Sequence, residues 1–393
     1  MAVIDSTVEG EPEPKAGPVT EGSQRDPEAD PPSEREAGGG APGREPVGVL
    51  RWASFVALSV VAVAQGAYSM GALAYWGLTS DQGAQYYLSK ITAEGAVPLV
   101  DFKHGWNAGS WWIGGLLYRL AGGDPTVWTF FNNRLFASTL AAILLAGIGL
   151  RLRLHPAAMA ALVFACLFIV RPLSVKYMLP VAWAFALLPT PWLDRGPQRV
   201  IVRAAVPAAL LWVHVELAVL LSAATILYEL LAAENWAMRE RVLRAASVAG
   251  GLVLGFVTEA AYFDLVHGVS VADFNAQVGF GQAEEFPNQF GWPFFSTPPM
   301  SNQYTVVALF PALVLLPFVP YVWQRLSGPT RFAAFCAVCI ATVAIRRPGP
   351  GHGGTVGVLV ALAVILAVCD LQGERFALRR RLPPLAVLGA IVG

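Results

Sequence analysis

Two aspartates, a histidine and a tyrosine pair (Asp81, Tyr86-Tyr87, Asp101, His104) are crowded into one polar stretch that follows directly on a long apolar run. A carboxylate at such a place can take the proton from a hydroxyl group. Asp81 together with His104 or Asp101 could also hold a divalent cation such as Mg2+ or Mn2+, although no ligand spacing here is diagnostic of one. Each residue also has a plainer use. Asp81 can cap a surface helix, Asp101 can fix a turn, and His104 can be a solvated loop residue. A second group is cationic: Arg134, Arg171, Lys176, Arg346 and Arg347 all border apolar runs. Charges near a hydrocarbon edge are costly and mark substrate paths, and an arginine fork suits phosphate. Snorkelling to lipid headgroups is the alternative use of the same side chains.

Composition says where these residues must work. The 393-residue chain is 55% hydrophobic and 14% charged, with a mean hydropathy of +0.53, which is the profile of a polytopic membrane protein. Residues 1–50 carry 11 acidic against 4 basic side chains, leaving 23 basic and 16 acidic in the remainder. That first segment is rich in Pro, Gly and Glu, so it reads as a disordered acidic tail on the cytoplasmic side. It is too long and too acidic for the start of a signal peptide. Cys166, Cys336, Cys339 and Cys369 all lie in apolar runs, and they read as small apolar thiols despite the Cys-x-x-Cys spacing of the middle two.

Apolar runs predict spans near 52–77, 131–150, 156–173, 177–193, 199–214, 217–233, 244–266, 304–324, 330–346, 354–370 and 382–393, an all-α bundle of about ten or eleven transmembrane helices. Lys and Arg set its orientation. With the amino-terminal tail inside, 14 basic residues fall in cytoplasmic loops and 8 on the outer side. Residues 199–233 as one helix would be about 50 Å long, well beyond a hydrocarbon core of about 30 Å. They must therefore turn back, near Val213-His214-Val215-Glu216. His214 and Glu216 then form either a substrate-facing pair or the polar cap of a hairpin. His352 sits among glycines, where backbone can approach a ligand closely.

Two large outer loops follow from this topology, 78–130 and 267–303. In the first, the spacing of Ala84, Tyr87, Leu88 and Ile91 predicts a helix lying along the membrane surface. A second is predicted from Ser110 to Leu120, where Trp111, Trp112 and Tyr118 suit the interface. An extended connector, Gly95 to Phe102, joins them. In the second loop, Trp292, Phe294 and Phe295 could stack on a sugar or anchor at the interface, and Glu284-Glu285 reads as a solvated face.

The first loop carries a resemblance. Asp81, then Tyr86-Tyr87, then Gly95, Pro98, Asp101-Phe102 and Gly105, then a Trp/Tyr-rich helix ending in Gly-Gly-Asp, with Arg134 opening the next span, resembles the GT-C superfamily of membrane glycosyltransferases. Within it, the likeness is to the bacterial protein O-mannosyltransferase and aminoarabinose transferase group. Many members have Asp-Glu at the first acidic position, where this chain has Asp81-Gln82. Arg346-Arg347 through His352 is similar to a later loop of that family, with Gly353 in place of its tyrosine.

The resemblance implies transfer of a sugar from a polyprenyl-phosphate donor to a glycan, lipid or protein acceptor outside the cytoplasm, in the plasma or inner membrane. It further implies that Asp81 is the general base, with Asp101 beside it in the catalytic group. Arg346, Arg347, Arg134, Arg171 and Lys176 would hold the donor phosphate, and His104, His214, Glu216, His352 and Tyr87 would contact substrate. No Walker, Rossmann or Ser-His-Asp signature is present, which agrees with a donor already attached to lipid. A multi-pass transporter or lipid-linked-sugar flippase is the alternative, but the chain has no internal repeat of the kind many transporters show.

Overall fold

The computed structural model describes residues 45–76, 80–102, 107–170, 175–233, 236–278, 314–346 and 350–372. The acidic tail up to Arg44, Glu284, Glu285, Trp292, Phe294 and Phe295 of the second loop, and the apolar run 382–393 lie outside the described residues. Among those described, all regular structure is helical, with a single isolated bridge between Pro98 and Phe102.

In chain order the first helices are α1 (Glu45–Trp76), α2 (Ser80–Ala93) and α3 (Ala108–Leu120). A long rod follows, made of α4 (Pro125–Phe130), a wide-turned π segment, π1 (Phe131–Thr139), and α5 (Leu140–Arg151). The chain returns through α6 (Pro156–Phe164) and a second such segment, π2 (Ala165–Val170). Then come α7 (Val175–Leu187), α8 (Gln198–Val213), α9 (Val215–Leu231), α10 (Met238–His267) and α11 (Val271–Val278). The last described elements are α12 (Pro320–Trp323), α13 (Gly328–Arg346) and α14 (Pro350–Leu371).

Local chemistry sets the boundaries. Asp124 caps α4, its Oδ1 accepting the Val127 amide at 2.9 Å, and Pro125 occupies the first turn, where a missing N–H costs nothing. His155 caps α6 in the same way, its Nδ1 accepting the Ala157 amide at 3.1 Å ahead of Pro156. The sequence predicts a span to residue 193, but α7 stops at Leu187 because Pro189 and Pro191 follow. The expected reversal is at His214, whose extended backbone (φ −158°, ψ 98°) is the whole connection between α8 and α9.

The helices run between two ends. At one, the Ser110 hydroxyl of α3 donates to the Val213 carbonyl that closes α8. At the other, Arg203 near the start of α8 meets Glu229 near the finish of α9 at 2.8 Å, so these helices are antiparallel. We call these the α3 end and the arginine end. Arg151, closing α5, donates to Phe185 O and to Thr190 Oγ1 on the approach to the arginine end. Asp370, near the finish of α14, accepts the Ser327 amide at 2.8 Å and the Thr330 hydroxyl, pairing the start of α13 with the finish of α14.

Small residues let the backbones approach closely. Gly251 and Gly255 of α10 lie on Ala204 and Ala208 of α8, and a Cβ at 251 would collide with the Ala204 carbonyl. The main core is built from Ala- and Leu-rich faces of α5, α6, α7, α9, α13 and α14. Three helical stretches are long and apolar enough to cross a membrane: 48–69, 125–151 and 238–267. Four shorter apolar helices, 156–168, 178–187, 328–342 and 356–371, accompany them. The first stretch stands apart, with only 6% of its most apolar window buried in protein against 61% for the second. It touches the body at Ala62, whose carbonyl accepts the Thr139 hydroxyl at 3.3 Å, and at Gly66 beside the same threonine.

Candidate functional site

The α3 end gathers most of the residues singled out from the sequence. Helices α2 and α3 pack as a hairpin, Gly114 lying on Ser89 and Gly115 on Thr92 and Ala93. Arg119 donates through Nε to the Ala93 carbonyl at 3.1 Å, placing a cation on the last turn of α2, where the helix dipole favours it. Gly122 and Gly123 take the left-handed turn (φ 61° and 79°) that lets the chain reverse between α3 and α4. The Tyr86 hydroxyl donates to the Gly123 carbonyl, and its ring packs on Tyr118 at 5.4 Å and Trp128 at 5.5 Å. Burial, reinforced by the Tyr118 hydroxyl, raises the Tyr86 pKa above the usual phenol value, keeping the proton that this hydrogen bond needs. Thus Tyr86 is a brace of the hairpin, whereas Tyr87 is exposed beside it.

Asp81 lies in the first turn of α2, one residue from its start. Asp101 lies in the connector, where its Oδ2 accepts the Val97 amide at 2.7 Å and its own amide donates to the Val97 carbonyl at 2.9 Å. That is the turn-fixing use of an aspartate. The turn is tight: Leu99 adopts φ 70°, a left-handed conformation that costs a branched residue of order 1–3 kcal/mol and clusters at functional sites. Its side chain is held by a small core of Ala108, Ala260, Phe263 and Phe274, so α10 and α11 help maintain the strain.

Past this connector, Asn107 forms a junction of three helices. Its Nδ2 donates to Glu259 Oε2 of α10 at 2.9 Å, and its Oδ1 accepts the Val215 amide that opens α9 at 2.9 Å. Gly109 lies against the Trp212 carbonyl with no room for a Cβ. Asn107 and Glu259 are both fully buried, and His214 and Glu216, one residue either side of Val215, are half-buried. Trp112, Trp212 and Tyr262 close the junction with ring centroids 5.7 to 5.9 Å apart.

The cationic positions share this end through the backbone. Arg134 is half-buried in π1, directly after the buried Asn132 and Asn133, which hydrogen-bond to each other at 2.9 Å. π1 packs on α7, π2 on α14, and π1 on π2. Lys176 is in the first turn of α7, Arg346 closes α13 and His352 is in the first turn of α14. π-type turns inside helices are uncommon and occur often at functional sites. His104, Arg171 and Arg347 lie outside the described residues.

The sequence reading missed two features. Asn107 gave no signal, but Glu259 could have been flagged as a lone carboxylate in the apolar run 244–266. The second feature is the arginine end. There Asp194 lies 3.1 Å from Arg203 and 2.6 Å from Arg244, Glu229 lies 2.8 Å from Arg203, and Glu240 lies 3.1 Å from Arg244. Arg244 also stacks on Trp236, its guanidinium carbon 3.8 Å from the ring centre. Among the described residues no three His, Cys, Asp or Glu side chains come together as metal ligands. The four cysteines are free thiols. Compared with known proteins, the chain matches no family model, no curated protein and no solved structure.

Proposed function

We propose that the chain is a polytopic membrane glycosyltransferase with its reaction centre at the α3 end, facing outward, and the arginine end in the cytoplasm. The observation that carries this reading is the helical hairpin placed directly after α1, braced by Tyr86, Gly123 and Asp124 of the motif that resembles the GT-C group. Antiparallel pairing of α8 with α9, and of α13 with α14, supports a bundle of spans. Arg195, Arg199, Arg203, Arg239, Arg241 and Arg244 fall at or near the arginine end, which supports the orientation.

The reaction is displacement at the anomeric carbon. An acceptor hydroxyl oxygen forms the new glycosidic bond while the bond from that carbon to the donor phosphate oxygen breaks. Asp81 takes the hydroxyl proton, and the lipid phosphate leaves with the electron pair. Its charge is met by cations carried on π1, α7 and α13, Arg134 and Arg346 foremost. The π segments suit this use, because a widened turn presents polar groups that a regular helix spends on itself.

The test uses the purified full-length protein with polyprenyl phosphates bearing a labelled hexose or pentose, and hydroxylated acceptors. Transfer is expected from the wild type, with turnover of Asp81→Asn lower by about 100- to 10,000-fold at an unchanged unfolding midpoint. Label that crosses vesicle membranes without a new glycosidic bond would favour the transport reading and end this one.

A further inference from the structure

The junction around Asn107 has a composition that packing alone does not call for. Glu259 is 0% exposed in the last third of α10, yet its partner is a neutral amide rather than an arginine. The Ala108 amide, opening α3, is directed at the same carboxyl group, while Oε1 has no hydrogen-bond partner among the described residues. Leucine at 259 would fill similar space at no desolvation cost. The carboxyl group is therefore there for what it holds, and it holds Asn107.

Through Asn107 the carboxyl group acts on two places at once. One is the connector: the strained Leu99, two residues before Asp101, shares a small buried core with Ala108, the residue after Asn107. The other is the His214 break, because the Val215 amide, freed by that break from an intrahelical partner, is taken by Asn107 Oδ1. Ser110 adds its hydroxyl to the Val213 carbonyl on the opposite side of the same residue. An amide side chain does both from separate atoms, donating to the carboxyl group through Nδ2 and accepting the backbone N–H through Oδ1.

We infer that Glu259 is a positioning residue of the reaction centre: acting through Asn107, it fixes the start of α3, on whose Ala108 the Leu99 turn of the connector packs, against the His214 break, and thereby holds Asp101 and His214 in one register. This deepens the transferase reading and rests on it. It makes Glu259 neither base nor ligand. A misplacement of about 1 Å at a reacting centre can cost about 100-fold in rate, which is the size of effect at stake.

The test is a reciprocal swap in the full-length protein. Asn107→Asp places two carboxyl groups against each other inside the protein. Glu259→Gln keeps an acceptor for the Ala108 amide. Together, Asn107→Asp with Glu259→Gln rebuilds the contact with donor and acceptor exchanged. With a polyprenyl phosphate bearing a labelled sugar, Asn107→Asp is expected to lose kcat by about 100-fold with little change in KM. The double variant is expected to recover most of it, and Glu259→Gln alone to stay near wild type. A double variant no more active than Asn107→Asp, or a Glu259→Leu protein with full kcat, would overturn the inference.

Hydrogen exchange at the Val215 and Ala108 amides reads the positioning without any turnover. Exchange should quicken in Glu259→Leu and Asn107→Asp and return to wild-type rates in the double variant. Should the wild type transfer no sugar, the transferase reading falls and this exchange pattern still decides the positioning claim. Should the single variants fail to fold, the double variant decides it: the inference requires that protein to fold and to protect both amides.

Discussion

The two ends of the bundle treat buried charge in opposite ways. At the arginine end three cations, Arg199, Arg203 and Arg244, face three carboxylates, Asp194, Glu229 and Glu240, and the deepest members are 1 to 2% exposed. The cluster closes on itself, with Trp236 as its floor. At the α3 end, Glu259 is held by a neutral amide, Asn107. Asn132 and Asn133 pair with each other beside Arg134, and a leucine in the connector is strained. A cluster whose buried charges are met by one another is built to stay shut. On the proposed function, an end that surrounds its buried carboxyl group with neutral donors is the one that receives the charge of a substrate.

That contrast can be broken from either side, and the largest effect is expected at the arginine end. Arg203→Ala takes from the buried Glu229 its 2.8 Å partner and leaves Asp194 to Arg244 alone, so stability should fall by about 3–5 kcal/mol, read as a lowered unfolding midpoint in detergent. A change below about 1 kcal/mol would show that water reaches the cluster and that it resembles a surface network. Next comes Gly251→Leu, which drives a side chain into the Ala204 carbonyl between the two ends. Separation of α8 from α10 should cost about 1–3 kcal/mol and weaken both clusters together.

At the α3 end, Asp124→Ala removes the cap of α4 and should cost about 1 kcal/mol, with Asp124→Asn retaining most of it. Asp101→Asn sharpens the comparison further. Asparagine can still accept the Val97 amide, so stability should stay within about 0.5 kcal/mol of wild type. Any large loss of sugar transfer in that variant would then mark the carboxylate charge as chemical rather than architectural. Smallest of all is Lys90→Ala, which removes an exposed pair with Glu94 at 3.9 Å and should shift stability by no more than about 0.5 kcal/mol.

Much of the helical layout is legible in the amino-acid sequence, because a segment that must satisfy its own backbone in an apolar setting announces itself as a long apolar run. The reversal at His214 is readable by the same logic, since residues 199–233 are too long for one crossing and the structure turns at the expected residue. The two helices of the first loop follow from the spacing of Tyr87, Leu88 and Ile91 and from the tryptophans of 110–120. Other features depend on partners distant in sequence. The π segments at 131–139 and 165–170 carry no composition signal, because a widened turn is selected by what packs against it. Asn107 is an ordinary loop residue until Glu259, 152 positions away, is placed beside it. Tyr86 and Tyr87 are adjacent and alike on paper, and only the fold separates the half-buried brace from the exposed ring.

The one-sided burial of α1 has a consequence for where such a protein can work. Val56, Val60, Val61 and Val63 are all about half or more exposed, while the opposite face packs on the α4–π1–α5 rod and on α6 through Phe55, Leu58, Ala62 and Gly66. The side chains of the outward face answer to their surroundings alone. Its length and outward composition are thus free to drift, so that the same machinery could be refitted to a thicker or thinner lipid sheet by exchanging a single helix.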